Sequence, residues 1–398
     1  MFAYSDELDS WLKNRSKGFE RQPAEPRNPE SVPFREPRHS PATYQDPESS
    51  RSSSTQGQRN GRPSELMAVA TKMWETVSPS SLGNLARLYR DVIDLDPENA
   101  EAFAGLSRTM ISAGVLGNLR SSVAYDSARF SLERALEIDP ELASARCSVA
   151  WLLMLSDRDW QGARKILEEL LDDRHFIFQA VVGRVLFHIA EGCPAVAAEL
   201  LNQLSQTHVL NAGVVALRCW SEYLAGRFKM ALALVNQART SGQAGCVLDA
   251  VEALASLQVE ELEASIDRME TLVEFSPHNY ELKGVLGYAY AGAGQDDKAQ
   301  NILDILAQPE VREIHNHAYP IALTLIGRHQ EQAAVPWLEQ SYREGSLWSL
   351  GFQSDPILDT LRNNPSYQLL MSRVKYPVQK PSVEAVTPHD EGKRAYSA

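Results

Sequence analysis

The residues in this chain that are best suited to metal chemistry are two histidines, His315 and His317, which flank Asn316. Neutral imidazole is a common metal ligand, so two histidines close in sequence raise the question of a metal site. Their i, i+2 spacing, however, places the two rings on different faces of a helix. The sequence therefore predicts no metal site.

The spacing of the four cysteines does not indicate a metal site or a set of disulfides either. Cys147, Cys193, Cys219 and Cys246 lie tens of residues apart without a C-x-x-C pair, which argues against a zinc site and a disulfide framework. Free thiols fit a reduced compartment, and no apolar stretch is long enough for a signal peptide or a membrane span. We therefore expect a cytoplasmic protein that does not bind a membrane.

Motifs for covalent or phosphate chemistry are also missing from the sequence. There is no G-x-S-x-G, phosphate loop, H-E-x-x-H or kinase signature. The stretch AGAG at 291–294 could cradle a phosphate, but it is better explained as the turn between two helices, with Gly294 ending the first helix. We expect a protein that is not an enzyme and needs no cofactor.

The net charge of −13 is concentrated in the middle of the chain. Residues 66–374 hold 25 Lys and Arg against 39 Asp and Glu, whereas residues 1–65 hold ten of each sign. An acidic body repels phosphate backbones, so this middle part is poorly suited to bind nucleic acid. Nucleic-acid binding is expected only through a further N-terminal domain.

Two stretches lack the apolar residues that a core needs. Residues 17–63 are rich in Pro, Ser, Arg and Glu, and residues 375–398 have a similar composition. Such segments bury too little apolar surface to offset the entropy of ordering the chain. We predict a disordered linker and a disordered tail on either side of a folded array at 64–374.

Apolar residues in this array recur at i, i+3 and i+4, which predicts helices throughout. Proline-containing dipeptides punctuate the pattern and are predicted to supply an N-cap followed by proline at the first helical position. Pro140 and Pro277 lie 137 residues apart, about four periods of 34, the period of a helix-turn-helix repeat. The dipeptides are Asp96-Pro97, Asp139-Pro140, Ser276-Pro277 and Asp355-Pro356.

The best-defined repeat covers 280–313, with a small Gly287 beside Tyr290 in its first helix and a small Ala299 in its second. This unit resembles the tetratricopeptide repeat (TPR) family in spacing and residue type. The resemblance implies an all-α fold, a right-handed TPR-like superhelical solenoid of antiparallel helix pairs. About seven units are expected after a half unit at 79–95.

Residues 354–374 resemble the closing segment of many bacterial TPR arrays, with the pattern D-P-x-x-D-x-L-R-x-x-P-x-[FY]-x-x-L. Such arrays are fused to transcription regulators, nucleotide cyclases and kinases, so the segment gives context and not activity. We predict that residues 352–374 cap the array, because their apolar side chains can cover the last repeat. Those side chains are Leu358, Leu361, Tyr367 and Leu370.

The opening residues, MFAYSDELDSWLKNRS, resemble the end of an excisionase-type, MerR-like helix-turn-helix domain with the pattern V-x-A-[YF]-x-x-E-L-D-x-W-L. The match runs from Ala3 to Leu12, and Leu8, Trp11 and Leu12 share one helical face. The recognition helix of such a domain would lie upstream. Residues 1–16 are therefore interpreted as a remnant, left by loss of the domain or by a start codon assigned too late.

In a TPR solenoid, positions 2, 5, 9 and 12 of each unit line a concave groove. In this chain, those positions carry large or charged side chains of the types enriched at binding hot spots. The alternative is that some of them, Trp151 and Phe187 especially, pack between helices. The candidate groove residues are Arg108, Trp151, Arg184, Phe187, Trp220, Tyr223 and Tyr288.

The sequence favours one function and leaves others open. The favoured one is a non-catalytic protein–protein interaction scaffold whose concave groove captures another protein or a peptide. The alternative is a bacterial transcription regulator with a truncated helix-turn-helix and a TPR sensor or assembly domain. A scaffold left over from a fused cyclase or kinase is a third, supported by the closing segment alone.

Overall fold

The computed structural model describes residues 56–75, 77, 79–172, 178–207 and 211–377. Within these ranges every regular element is a helix, and the helices pack as antiparallel pairs, which confirms the predicted all-α solenoid. In chain order the pairs are α1 (Gln56–Glu75) with α2 (Leu82–Leu95), α3 (Ala100–Val115) with α4 (Ser121–Ile138), α5 (Ala143–Leu152) with α6 (Trp160–Asp172), α7 (Phe178–Ala190) with α8 (Pro194–Thr207), α9 (Ala212–Leu224) with α10 (Phe228–Thr240), α11 (Cys246–Ser256) with α12 (Leu262–Phe275), α13 (Tyr280–Gly292) with α14 (Asp296–Leu306), and, after a short α15 (Pro309–Ile314), α16 (Ala318–Gly327) with α17 (Glu331–Arg343).

The part of the chain after the last pair is the C-terminal segment, residues 345–377. It forms two 3₁₀ turns, Leu347–Gly351 and Pro356–Leu361, and then α18 (Pro365–Arg373). The first turn packs on α7 as well as on α17, so the segment reaches back across the array. The side chains that were predicted to form the cap are all buried: Leu358, Leu361, Tyr367 and Leu370.

Asparagine side chains, and not the punctuating dipeptides, cap the first helix of the pair that follows Pro97 and of the pair that follows Pro277. Asn99 accepts a hydrogen bond from the N–H of Ala102 at 3.0 Å, and Asn279 caps α13 in the same way. In each case the proline lies in the turn between two helices, and the helix starts three residues after it. The N-cap prediction is therefore wrong at Asp96, Asp139 and Ser276, which instead end α2, α4 and α12.

Helices α13 and α16 approach each other closely because glycines remove the side chains between them. A Cβ on Gly287 would lie 2.4 Å from Oγ1 of Thr324, and a Cβ on Gly284 would lie 2.4 Å from Cα of Pro320. The turn after α13 is closed by Gly294, whose φ of +72° lies in the left-handed region. Small residues therefore decide how tightly these successive pairs stack.

Helix α1 begins at Gln56, earlier than the predicted start of the array at 64. Its apolar side chains are confined to the second half, where Ala70 is fully buried and Leu66 and Met73 pack against the core. The first half carries little apolar signal, which is why composition placed it in the linker. Together with α2, this helix completes the half unit predicted at 79–95.

The array curves so that its second helix pair contacts the last pair. The guanidinium of Arg120, at the start of α4, pairs with Glu344 at 2.6 Å, and the two residues are 224 positions apart in sequence. Beside this pair, the N–H of Ser121 donates to Oδ1 of Asn316 at 3.0 Å. We call the contact formed by these four residues the seam.

Candidate functional site

An open cavity of about 620 Å³ runs along the inner side of the N-terminal half of the array. Its walls come from the first helices α1, α3, α5, α7 and α9, and we call it the N-terminal groove. A concave, mainly apolar surface of this size is typical of ligand-binding sites. The apolar side chains that line it include Trp74, Ile111, Val115, Cys147, Trp151, Phe178, Val182, Val214 and Leu217.

The charged side chain in the wall of the N-terminal groove is Arg108. Its guanidinium carbon lies 4.2 Å from the centre of a Trp74 ring, and Nη2 donates to the hydroxyl of Tyr89 at 3.3 Å. Among the described residues, its buried Nε has no hydrogen-bond partner and its charge has no carboxylate partner. An acidic group on a bound molecule could therefore pair with this cation in apolar surroundings.

The thiol of Cys147 also lies in the wall of the groove, but it is not activated. Burial raises the pKa of this thiol to about 12, and the nearby Arg108 charge opposes the shift only in part. A thiol with such a pKa stays protonated at neutral pH, so it is a poor nucleophile. The groove therefore offers shape and charge for binding, not covalent chemistry at this cysteine.

The inner side of the C-terminal half is filled by the chain itself. Trp348 of the C-terminal segment packs edge-on against Trp220 of α9, with ring centres 5.4 Å apart, and stacks on Tyr319 of α16 at 5.6 Å. Further along, Nε2 of Gln353 donates to the carbonyl of Ala190 at 2.7 Å. Much of the concave surface of α9 and α16 is therefore covered.

A buried carboxyl group, Asp355, holds this segment in place. It is fully buried and accepts hydrogen bonds from the hydroxyls of Tyr223 at 2.8 Å and Tyr319 at 2.5 Å. It also caps the second 3₁₀ turn by accepting from the N–H of Ile357, as its predicted N-cap role requires. Burial raises the pKa of this carboxyl, although the two tyrosine hydroxyls act in the opposite direction.

The predicted groove residues divide between open and covered surfaces. Arg108 and Trp151 line the N-terminal groove, where Nε1 of Trp151 donates to the carbonyl of Gln179 at 3.2 Å. Trp220 and Tyr223 are completely buried beneath the C-terminal segment. The structure therefore brings only the first two into the open cavity.

The remaining predicted residues lie elsewhere on the first helices. Phe187 is buried and packs edge-on against Trp160 with ring centres 5.7 Å apart, which matches the alternative of packing between helices. Arg184 is exposed on α7, and Tyr288 is half-buried on α13. The binding role of these three residues stays a prediction.

Several residues of the groove were not predicted from sequence. Trp74 belongs to α1, whose unit was not recognised, and Phe178 and Val182 lie at positions of α7 that the assumed register did not select. The signal that could have found them is the apolar face of the first helix in every pair. It would have been found if the counting of pairs had begun at α1. Cys147 was considered only as a metal or disulfide residue.

The two histidines lie apart from the N-terminal groove. Nδ1 of His317 faces the carbonyl of His315 at 3.3 Å, and Nε2 of His317 lies 3.3 Å from Nε2 of Gln340. Burial lowers the pKa of both imidazoles, to about 4 for His315.

Over the described ranges, no helix combines the length and the apolar character needed to cross a membrane.

The arrangement of helix pairs is similar to that of solved helical-repeat structures. The Cut9–Hcn1 hetero-tetramer of the APC/C matches with a TM-score of 0.50 and 14% identity, over 77% of this chain and 55% of that chain. The fold is a tetratricopeptide-like solenoid. This TPR-like chain thus spans little more than half the length of the Cut9–Hcn1 chain that it matches.

Two other solved structures are similar at a lower level. PilF of Pseudomonas aeruginosa has a TM-score of 0.35 and 13% identity, over 56% of this chain and 96% of that one. The TPR domain of P58(IPK) has a TM-score of 0.22 and 11% identity, over 76% of this chain and 100% of that one. Comparison with protein-family models and with curated proteins gives no match.

Proposed function

We propose that this protein is a non-catalytic scaffold that binds a segment of another protein in the N-terminal groove. The observation that supports the proposal most directly is the open apolar cavity that the first helices of successive pairs build together. The similar Cut9 chain is likewise found in an assembly with another protein, Hcn1. Binding, and not catalysis, is the property that these features share.

The lining favours a partner segment with large apolar side chains. Burying one Leu or Phe side chain of the partner contributes ~1.5–3 kcal/mol. Two or three such anchors together contribute ~3–9 kcal/mol before the cost of association is subtracted, so further contacts are needed for stable binding. Trp74 and Trp151 are suited to contact these anchors from the groove wall, because tryptophan side chains are large and have few rotatable bonds.

Arg108 adds a preference for acidic partners. Its guanidinium faces the cavity from an apolar wall and has no carboxylate partner among the described residues. A glutamate or aspartate next to an apolar anchor can therefore form a charge-assisted hydrogen bond there. The partner expected is an apolar segment, helical or extended, that carries at least one acidic residue.

The test uses Ser112, a half-buried residue of α3 that lines the groove. Ser112→Trp fills the cavity without truncating the core, and Ser112→Ala is its matched control. Both variants and the wild-type chain are tagged and used to capture partners from the native host, with quantitative mass spectrometry. We expect Ser112→Trp to reduce partner recovery by at least about tenfold, as loss of a central hot spot does.

The proposal fails if Ser112→Trp, shown to be folded by circular dichroism, recovers the same partners in the same amounts as Ser112→Ala. Phe130→Ala provides a second control, because Phe130 is 75% exposed on the second helix α4 and lies outside the groove. Loss of recovery in this variant as well would point to the outer surface instead.

A second candidate function is a transcription regulator, favoured only by the match of residues 3–12 to a helix-turn-helix domain. Those residues lie outside the described part of the structure. The test is to read the DNA upstream of the codon for Met1. An in-frame helix-turn-helix with a basic recognition helix supports the regulator, and an in-frame stop codon immediately upstream contradicts it.

A further inference from the structure

The N-terminal end of the chain carries a segment with the chemistry that the N-terminal groove requires. Residues 2–12 read FAYSDELDSWL and lie outside the described part of the structure. In a helix, Tyr4, Leu8 and Trp11 fall at i, i+4 and i+7 on one face, which is the anchor spacing of helices that bind in grooves. Glu7 flanks this face, and Asp6 lies on the opposite side.

The tether that joins this segment to the groove has a suitable length. The 43 residues from 13 to 55 separate it from Gln56, where α1 begins. Helix α1 itself supplies Thr71 and Trp74 to the wall of the groove, roughly 25 Å from its first residue at 1.5 Å per residue. A random-coil chain of 43 residues has a root-mean-square end-to-end distance of roughly 35 Å, which is enough to reach this wall.

We propose that residues 2–12 bind in the N-terminal groove of the same chain and compete there with the external partner. This inference rests on the proposed function, because it assigns an internal occupant to the same groove. Tyr4, Leu8 and Trp11 contact the apolar wall formed by α1, α3 and α5. The protein is then a scaffold whose own N-terminal segment controls the access of partners to the groove.

Charge complementarity orients the segment in the groove. Arg108 is the charged group of the cavity lining and has no carboxylate partner among the described residues. Glu7 is the acidic residue of the segment that borders the apolar face, so the proposal pairs it with Arg108. Helical spacing would put Asp6 on the side opposite the apolar face, so Asp6 serves as the matched control.

The binding is intramolecular because the tether raises the local concentration of the segment. A flexible linker that can span the sites gives an effective concentration on the order of millimolar. A segment with a dissociation constant on the order of 10–100 µM would therefore occupy the groove most of the time. An external partner must displace it, which weakens apparent partner binding by about tenfold or more.

The experiment uses the full chain and a fluorescent peptide with the sequence of residues 2–12 as the probe. Peptide binding is measured by fluorescence anisotropy for the wild-type chain and for a chain carrying Leu8→Asp and Trp11→Asp. We expect the variant to bind the peptide at least about tenfold more tightly, because its groove is vacated. A chain carrying Asp6→Arg should behave like the wild-type chain.

Charge exchange identifies the orientation. In the full chain, Arg108→Glu should vacate the groove in the way that Leu8→Asp with Trp11→Asp does, and adding Glu7→Arg should restore occupancy. Occupancy is read by a photo-crosslinking residue at position 12, which leaves Tyr4, Leu8 and Trp11 in place. Crosslinks are expected within one chain, to α1, α3 or α5, at a yield independent of protein concentration. Crosslinks outside the groove, or between two chains, would overturn the proposal.

The outcomes separate this proposal from the proposed function. Equal peptide affinity of the wild-type and Leu8→Asp, Trp11→Asp chains overturns internal binding and leaves the groove as a binding site for external partners. No peptide binding to either chain also overturns it. If the anionic apolar dye anilinonaphthalene sulfonate then binds both chains but not Ser112→Trp, the groove is still open to other ligands.

Discussion

At the scale of single residues, the buried carboxyl group of Asp355 links helices that are distant in sequence. It accepts hydrogen bonds from Tyr223 of α9 and Tyr319 of α16, so one carboxyl group joins helices that belong to distant pairs. Burial raises its pKa, because desolvation of the charged form costs free energy. The hydrogen bonds from the two hydroxyls offset part of that cost.

The first prediction concerns Asp355→Ala. This change leaves two buried hydroxyl groups without their acceptor, each worth ~1–3 kcal/mol when unsatisfied. We expect the free energy of unfolding, measured by urea denaturation, to fall by about 2–4 kcal/mol. Asp359→Ala is the control, because Asp359 is exposed in the same segment and should change stability by less than about 0.5 kcal/mol. Equal stabilities of the two variants would refute the role of Asp355.

Glu281 near the seam is a second buried carboxyl with a measurable consequence. Its side chain lies on the loop after α3, where a Cβ on Gly117 would come within 3.2 Å of Oε1. Burial raises the pKa of this carboxyl from 4.5 to about 7, although hydrogen bonding to Asn316 lowers it. The folded state therefore prefers the protonated form of Glu281.

The second prediction follows from the sign of this shift. A raised pKa in the folded state contributes stability that is fully present below pH 4.5 and is lost as the pH rises through about 7. Glu281→Gln removes this dependence. Between pH 5 and pH 8, the wild-type chain should lose about 2–3 kcal/mol of unfolding free energy relative to the variant. Parallel pH profiles in urea denaturation would contradict the assignment.

At the scale of elements, the stacking of successive pairs depends on backbone contact between α13 and α16. The third prediction is that Gly284→Ala lowers the free energy of unfolding by about 1–3 kcal/mol, because the added methyl group meets Cα of Pro320 at 2.4 Å. The matched control is Gly292→Ala on the same helix, where the nearest atom is Cδ2 of Leu262 at 3.8 Å. This control should be neutral or stabilising by about 0.5–1 kcal/mol, as alanine favours the helix. The opposite ranking in thermal unfolding would count against close packing.

The helices were predictable from sequence to the extent that their signals are local. The 34-residue spacing of prolines and the small residue at Gly287 predicted paired helices. Both signals depend on one repeat and its neighbours in sequence, and not on long-range contacts. The first helix, α1, was missed in part because its apolar residues begin only near Leu66. The helix starts were shifted because Asn99 and Asn279 compete with the preceding Asp or Ser as caps.

At the scale of the whole molecule, contacts between helix pairs that are distant in sequence hold the described part of the array together. The seam joins α4 to the end of α17, and the C-terminal segment joins α9 to α16. Open repeat arrays unfold approximately as a chain of nearest-neighbour units. Contacts between distant pairs couple these units, so the described part of the chain should unfold more cooperatively than an open array.

The fourth prediction tests this coupling with Trp348→Ala. Removing the indole that packs on both Trp220 and Tyr319 should cost about 3–5 kcal/mol of unfolding free energy. Hydrogen exchange should accelerate together in α9 and α16, although they lie about a hundred residues apart in sequence. Phe130→Ala should leave both helices unchanged. Acceleration confined to the C-terminal segment would mean that the pairs are not coupled.

The covering of the C-terminal half could not be predicted from periodicity. Tyr223 and Asp355 lie 132 positions apart, and no local pattern encodes their pairing. Sequence reasoning therefore placed Trp220 and Tyr223 on the same surface as Arg108 and Trp151, whereas the chain itself covers the first two. The helix pairs follow from the repeat, but which part of the groove stays open depends on long-range closure.

Hydroxyl-radical footprinting of the partner-bound full chain measures most directly whether a partner occupies the N-terminal groove. Trp74, Trp151 and Phe178 line the groove, whereas Phe130, Met230 and Phe275 are exposed on second helices at 75%, 52% and 82%. In the full chain carrying Leu8→Asp and Trp11→Asp, in which residues 2–12 do not occupy the groove, the partner should slow oxidation of the first three side chains several-fold and leave the second three unchanged. Protection of the second helices, with the groove residues oxidised as fast as in the free chain, would contradict the account.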